Sequence, residues 1–469
     1  MMARVLIILF LALHLTGCAI LAPKYTRPSA PIPKKWPKGK AYKSVRAIPG
    51  VPTVKDLNLS EFFTDRKLKK IIAMSLSNNL DLRLAALNVE RARALYGVQR
   101  AELFPTVNAT GSANIERVPA DLSPTGKSMT EEKYSVGLGI ASWEIDFFGR
   151  IRSLKKKALE EYLATDEARR SVQISLVSEV ATAYFTLAAD RENLKLARNT
   201  LKTQQETYNL IRQQYEVGLA NELDLRRVQT QVDKAKGDVA RYTQLVAQDQ
   251  NALNLLAGAP VPEDLLPRDL ASVSPPRDIS PGLSSEVLLL RPDIIAAEHQ
   301  LKAAYAYIGA ARAAFFPRIS LTTSAGRASD ELSGLFSAGS GTWNFAPRIV
   351  MPIFDARTWA AYRVSKAQRK IALAQYQRAI QRAFREVADT LAVEGTVDDR
   401  LLAQQSLVNA IAETYRLSLA RYKEGIDSYL SVLDAQRSLF AAQEGLIRLR
   451  LAKLANQVRL YAVLGGGAK

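Results

Sequence analysis

Residue types that carry covalent or metal chemistry are scarce in this chain: its 469 residues hold one cysteine, Cys18, and two histidines, His14 and His299. No zinc cluster, disulfide framework or Cys–His nucleophile pair can be built from that set. No phosphate-cradling Gly-rich loop and no nucleophile elbow occurs. No residue set supports acid–base catalysis. The sequence therefore predicts a protein that is not an enzyme and binds no metal. His299, in Ala297-Glu298-His299-Gln300, reads as a packing or surface residue. The thiol of Cys18 is left as the one nucleophile with a recognisable setting.

That setting is MMARVLIILFLALHLTGC: Arg4, an apolar run from Val5 to Leu15, then small residues. The run is too short to span a bilayer permanently and reads as a secretory signal over residues 1–17. Its end, Leu15-Thr16-Gly17-Cys18, resembles the bacterial lipobox, in which the cysteine is joined to diacylglycerol by a thioether and its new amino terminus is N-acylated. Ala19 rather than an aspartate follows, which in the usual sorting pattern implies the outer membrane. Several acyl chains on one cysteine anchor a protein without a membrane helix. This lipid is the only non-protein group the sequence calls for.

Composition excludes a disordered chain: 48% of residues are apolar and 23% charged. Lys+Arg 64 against Asp+Glu 46 gives +18. Nucleic acid is not expected as a partner, because an exported lipoprotein meets none. Seven of the twenty prolines fall in residues 19–55, with nine Lys/Arg and no acid, so 18–55 reads as the lipid anchor followed by a basic strap. That strap is either an extended segment beside anionic headgroups or a solvated tether. Seven more prolines mark 258–292 as a linker. From Arg150 to Val217 there is no Gly or Pro, which predicts a helix of roughly 100 Å. Leu176, Val180, Ala183, Tyr184 and Leu187 place one buried stripe on it. Glu222 to Ala257, Ile353 to Glu424 and Asp427 to Leu464 are further helical runs. Polar residues interrupt all of them, so none is expected to cross a membrane as a helix.

The chain is a tandem repeat. Asn79-Leu80-Asp81 through Phe104-Pro105 aligns with Arg291-Pro292-Asp293 through Phe316-Pro317, and Tyr215-Glu216-Val217-Gly218 with Tyr422-Lys423-Glu424-Gly425. Repeat 1 spans 56–257, with a hairpin at 105–147 and a turn at 218. Repeat 2 spans 293–464, with a hairpin at 317–353 and a turn at 425; 465–469 is a tail. In the hairpins polar and apolar residues alternate with period 2, as in Thr106 to Arg117 and Trp343 to Ile353. Four strands with one wet and one apolar face cannot close alone, and a bilayer tolerates no open sheet edge. Two chains would supply eight strands and a filled lumen; three would supply twelve and a channel. A homotrimer is expected.

These residues resemble the TolC superfamily of outer-membrane efflux ducts, and within it OprM-type lipoproteins of RND multidrug pumps. The most specific stretches are Ser142 to Ser153, Leu163 to Arg170, Val246 to Leu253, Arg291 to Pro317 and Asp434 to Gly467. The resemblance implies a mixed α/β, mostly α, membrane protein: a homotrimer with a 12-stranded β-barrel, four strands per chain, and a 12-helix periplasmic α-barrel. It implies outer-membrane lipid, a periplasmic membrane-fusion adaptor and an inner-membrane RND transporter as partners, and passive conduction of drugs or small toxic compounds. A heavy-metal efflux or type I secretion duct, or a non-conducting structural envelope lipoprotein, are the alternatives. Adaptor-docking tips carry over to Tyr215, Val217, Gly218, Leu219, Ala220, Gly425 and Ile426. Glu424 departs from the small or apolar residue common there. A periplasmic gate carries over to Leu430 and Asp434, with Arg437, Arg421 and Tyr422 as the groups that could hold Asp434.

A basic collar follows the strands: Arg150, Arg152, Lys155, Lys156 and Lys157 after the second, and Arg357, Arg363 and Lys366, with Arg369 and Lys370, after the fourth. It reads either as contacts to inner-leaflet phosphates or as solvated helix faces.

Overall fold

Long uninterrupted helices dominate, as runs rich in Ala, Leu, Glu, Gln, Arg and Lys, with no internal Pro and at most one Gly each, favour. A computed structural model describes residues 21–43, 51–54, 57–282 and 284–467. The signal segment and Cys18 lie outside the described residues. In chain order the elements are α1 Leu59–Phe62, α2 Arg66–Asn78, α3 Leu80–Ala101, β1 Val107–Val118, β2 Met129–Ile145, α4 Arg150–Glu216, α5 Glu222–Ala257, α6 Pro292–Ala313, β3 Arg318–Ser329, β4 Gly341–Val350, α7 Ala356–Lys423 and α8 Tyr429–Val463. The duplication is visible in their lengths: α3 and α6 have 22 residues each, α4 and α7 have 67 and 68, α5 and α8 have 36 and 35.

The chain divides into two compact units: Met1–Ser29 with Asn88–Thr165 and Ala296–Tyr376, and Ala30–Leu87 with Asp166–Ile295 and Gln377–Lys469.

The first unit holds one antiparallel sheet in the order β1-β2-β3-β4. Its register makes two unlike faces. Val107, Ile140, Thr323 and Phe345 form one row, and Ala109, Leu138, Ala325 and Trp343 the next. The opposite face carries Asn108, Gly139, Ser324 and Asn344, then Thr110, Gly137, Gly326 and Thr342. A bulge between Ile140 and Trp143 shifts the register but keeps Glu144, Ser320 and Arg348 on the polar face. The glycine pair opposite each other is sterically required: a Cβ on Gly326 would sit 2.2 Å from the Val136 carbonyl oxygen.

The stretch SWEIDFFGRIRS turns the chain from β2 into α4. Asp146 accepts from the backbone N–H groups of Ile151 and Arg152 and from the Arg152 side chain. Glu144 takes the Arg150 fork at 2.8 and 2.9 Å. His299 is not isolated; its Nδ1 lies 2.7 Å from Glu160.

The second unit is built around Phe62, Phe63, Tyr184, Phe185, Leu187 and Tyr461. Phe62 stacks on Tyr461 with centroids 3.9 Å apart. By length and composition alone, one stretch of α4 is apolar enough to pass as a membrane helix. Half of that stretch is buried in the protein, and this burial accounts for its apolarity.

The described part of the strap is bound to helices rather than solvated. In the first unit Tyr25 and Arg27 both donate to Glu298, and Ala22 runs so close to α6 that a Cβ on Gly309 would lie 2.9 Å from its backbone nitrogen. In the second unit Trp36 stacks on Phe384 and donates to the Gly282 carbonyl. Ala41 passes Gly395 with no room for a side chain, its carbonyl oxygen 2.2 Å from where a Cβ would stand.

Each repeat closes on itself through side chains that reach the last carbonyls of its final helix, Ser75 sharing the Leu256 carbonyl with Asn79 in the first copy. Asn79, just before α3, donates Nδ2 to the Leu256 carbonyl at the end of α5. Arg291, its counterpart before α6, donates Nη1 to the Val463 carbonyl at the end of α8. Arg291 is buried and also reaches Asp293 and Glu386. Burial opposes its charge; the two carboxylates outweigh it and hold the guanidinium above its ordinary pKa. Arg291→Ala removes a buried cation, its bond to the Val463 carbonyl and its two carboxylate contacts, though Glu386 keeps Arg382 and Asp293 keeps water. It should cost about 2 kcal/mol, whereas Asn79→Ala should cost about 1 kcal/mol. Thermal unfolding of the detergent-purified protein by circular dichroism checks the order; equal losses would refute it.

A buried acid faces another between α4 and α5. Burial and the neighbouring Asp190 carboxylate push Asp249 from 3.8 up to about 7. Between those values the folded chain keeps a proton that the unfolded chain releases, so this pair lowers stability as pH rises through the window. Asp249→Asn should flatten that slope in denaturation midpoints taken from pH 4 to 7; an unchanged slope would count against the shared proton.

Candidate functional site

The two helical turns repeat one another bond for bond. After α4, the Gly218 N–H donates to the Tyr215 carbonyl at 3.0 Å and Leu219 N–H to Gln214 at 2.7 Å. After α7, Gly425 donates to Tyr422 at 2.9 Å and Ile426 to Arg421 at 3.0 Å. This is the paired Schellman closure. It needs the left-handed backbone that both glycines adopt, with φ +77° and +72°. Asn221 then caps α5 by accepting from the Asp224 N–H.

The closure leaves apolar side chains in water. Leu219 is 80% exposed, and Val217, Leu223, Tyr215 and Ile426 also stand open. Ala220 instead packs under the turn with Tyr208, Leu225 and Tyr429. Within a Schellman turn the residue after the glycine commonly folds back on the helix; here Leu219 and Ile426 point away from it. Exposed apolar groups at a hairpin end are a contact surface in search of a partner.

Behind the second turn lies the predicted gate set. Leu430 is half-exposed on α8 and Asp434 is exposed one turn on. Arg421 does not reach Asp434: its Nε and Nη2 grip Asp427 at 2.6 and 3.1 Å. Tyr422 donates to Gln214 at 3.2 Å and meets Tyr429 edge to face. Burial pushes the Tyr429 phenol up to about 12, so it stays neutral. Within one protomer no described cation pairs with Asp434, and no described acid with Arg437. Asp427 and Gln214 were missed in the sequence. Asp427 carries a usable signal: it sits six residues beyond its arginine across a helix end, and the Glu144–Arg150 and Asp146–Arg152 pairs have the same spacing.

The collar set is largely occupied. Arg150 is held by Glu144, Arg152 by Asp146, Lys157 by Glu161 and Arg357 by Asp355. Lys366 lies 4.4 Å over the Tyr362 ring. Lys156 and Arg363 are exposed and Lys155 half-buried, all three without an ion partner among the described residues.

The last component is the sheet. Much of its apolar face is uncovered among the described residues: Trp343 is 78% exposed, with Phe345, Ile349 and Leu138 also open. On β1 the apolar positions run from Val107 to Ile115, roughly 27 Å of strand, which matches the apolar band of an outer-membrane barrel. Exposed apolar strands with a wet reverse face, carried on duplicated long helix hairpins, make the protomer fold of TolC-like outer-membrane channels.

Comparison with known proteins agrees. The family described as "Outer membrane efflux protein" matches residues 71–259 and 283–466. The "Probable efflux pump outer membrane protein TtgC" of Pseudomonas putida is 48% identical over 457 residues, covering 97% of this chain and 94% of the relative. The "Probable outer membrane lipoprotein SilC" of Salmonella typhimurium is 39% identical over 458 residues, 97% and 96% of the two chains. The open-state crystal structure of the Neisseria gonorrhoeae outer membrane channel MtrE superposes with TM-score 0.85 at 37% identity, covering 96% of this chain and 98% of that one. The chain belongs to the outer membrane efflux protein family.

A side chain at either turn glycine works against the left-handed backbone by about 1–2 kcal/mol. Gly425→Ala should therefore speed amide exchange at Gly425 and Ile426 roughly five- to thirty-fold, and Gly425→Asn less. Unchanged protection in Gly425→Ala would mean that the turn is held by something other than its glycine.

Proposed function

We propose that three copies of this chain close their sheets into one twelve-stranded barrel in the outer membrane and continue it as a helical tunnel across the periplasm. The observation that carries this is the four-stranded sheet: β1 and β4 have no outer neighbour among the described residues, and they carry an uncovered apolar face. Each backbone group left unpaired in hydrocarbon costs several kcal/mol. Two copies would leave a bore filled by side chains, and three open it. The polar rows then face water inside, and the apolar rows face lipid.

The duct conducts passively. Drugs and other small toxic compounds reach it from an inner-membrane RND-type transporter through a periplasmic adaptor, and TtgC's description as part of an efflux pump supports that role. The adaptor docks on Tyr215, Val217, Gly218, Leu219 and Ala220 at one turn and on Gly425 and Ile426 at the other; the open apolar side chains there are the support. Cys18 carries the diacylglycerol and N-acyl chains, as the lipobox suggests and as the description of SilC as a lipoprotein favours. Lys155, Lys156, Arg363, Lys366, Arg369 and Lys370 are the collar cations with no carboxylate partner among the described residues and reach lipid phosphates. Arg150, Arg152, Lys157 and Arg357 instead serve the joint between strand and helix.

Three Leu430 and three Asp434 around the axis form an apolar and an acidic ring that keep the tunnel end shut. Asp434 has no ion partner among the described residues of its own protomer, so its counter-charge comes from a neighbouring copy, with Arg437 the nearest unpaired cation along the same helix. Asp434→Ala should raise single-channel conductance in a planar bilayer severalfold over a mostly shut wild type, the size of effect a charged ring exerts on ion passage. Equal conductance in two intact trimers would remove the gate. Monomers that do not conduct would remove the duct.

A further inference from the structure

At the end of the sheet next to the helices, the polar face carries an unbalanced charge. Glu144, Ser320 and Arg348 stand in one row across β2, β3 and β4. A cavity of about 440 Å³ opens there, lined by three guanidiniums, Arg150, Arg318 and Arg348, and three carboxylates, Glu144, Asp146 and Asp355. The carboxylates are committed elsewhere. Asp146 is held by Arg152 at 3.1 Å and Asp355 by Arg357 at 3.2 Å. Glu144 serves two cations at once, Arg150 at 2.8 Å and Arg318 at 3.2 Å. Arg348 is exposed and has no ion partner among the described residues.

Closing the barrel does not neutralise it. β4 is an edge strand, and an outer neighbour would be β1 of the next copy. Within β1 the polar face runs Asn108, Thr110, Ser112, Asn114 and only then Glu116, so the first acid of the strand itself lies far from the Arg348 level, while Glu102, just before β1, acts on Arg150. On β3 and β4 the residues beyond are Ser324, Gly326, Asn344 and Thr342, also neutral.

We propose that Arg348 forms a cationic ring at the inner end of the barrel lumen and sets a preference for anionic permeants there. This rests on the trimeric duct described above. A ring of fixed charge in a narrow, low-dielectric pore concentrates counter-ions and repels co-ions. The chemical class favoured is therefore small anions and the carboxylate, sulfonate or phosphate groups of larger solutes.

The test is the reversal potential of open-channel current across a KCl gradient, for the full-length purified protein. Arg348→Gln should lower the chloride-to-potassium permeability ratio by about twofold or more, and Arg348→Glu should lower it further. Arg348→Lys keeps the charge and should behave as wild type. Identical reversal potentials in wild type and Arg348→Glu would overturn the proposal, and so would a shift in Arg348→Lys as large as that in Arg348→Gln. If none of the proteins conducts, the duct fails and this inference falls with it. If all conduct with one selectivity, the duct stands and only the ring is lost.

Discussion

A backbone amide cannot go without a partner in hydrocarbon. That single constraint separates the two ends of this protein. Along a helix the chain satisfies its own amides, and 67 residues can run without help from any neighbour. Along β1 and β4 it cannot, because each has one edge with nothing bonded to it. The sheet is thus an unfinished object whose apolar rows and free edges point to the same completion. The register sharpens this. One slipped residue would turn Trp343, Phe345 and Ile349 to the wet side, so the pairing that the bulge at Ile140/Trp143 adjusts is also what keeps lipid and water apart.

Duplication explains the economy of the helical part, and the differences between copies show where chemistry was added. Asn79 and Arg291 perform one task, satisfying the last carbonyls of α5 and α8, yet only Arg291 also binds Asp293 and Glu386. The two turns share their hydrogen bonds but not their surroundings. In the first copy Arg227 is held by Asp224 at 3.5 Å. The corresponding pair of positions in the second copy is Ser431 and Asp434, which leaves the carboxylate without a local cation. The backbone device is common to both hairpins, and the open charge belongs to one.

Much of this was legible in the sequence because the signals are those of period and punctuation. Alternation with period 2 marked the strands, Gly218 and Gly425 marked the turns, a Gly-free and Pro-free run marked α4, and a Pro-free run with Gly395 alone inside it marked α7. Side-chain partnership was not legible. Arg150 and Arg152 read as free basic residues, but Glu144 and Asp146 take them across the β2–α4 bend, six residues back. Arg421 read as a holder of Asp434, but Asp427 intercepts it. Such pairs depend on the direction the chain takes at a helix end, which composition does not encode. The strap shows the same limit. Its prolines and lysines allow a loose tether equally well, and its binding is specified from the other side, by Gly309 and Gly395, which make room for its backbone.

The distribution of charge then becomes informative by subtraction. Most arginines near an acid are paired with it at short range, within a turn or across a bend, and such pairs position elements without projecting a field. Arg348 and Asp434 are among the exposed charges, with Arg363 and Arg437, that lack an ion partner among the described residues. An unpaired charge is cheap only where water reaches it, since burial without a partner would cost far more than any packing gain returns. Arg348 on the polar sheet face and Asp434 one turn along α8 are both exposed, so neither carries that cost in the isolated chain.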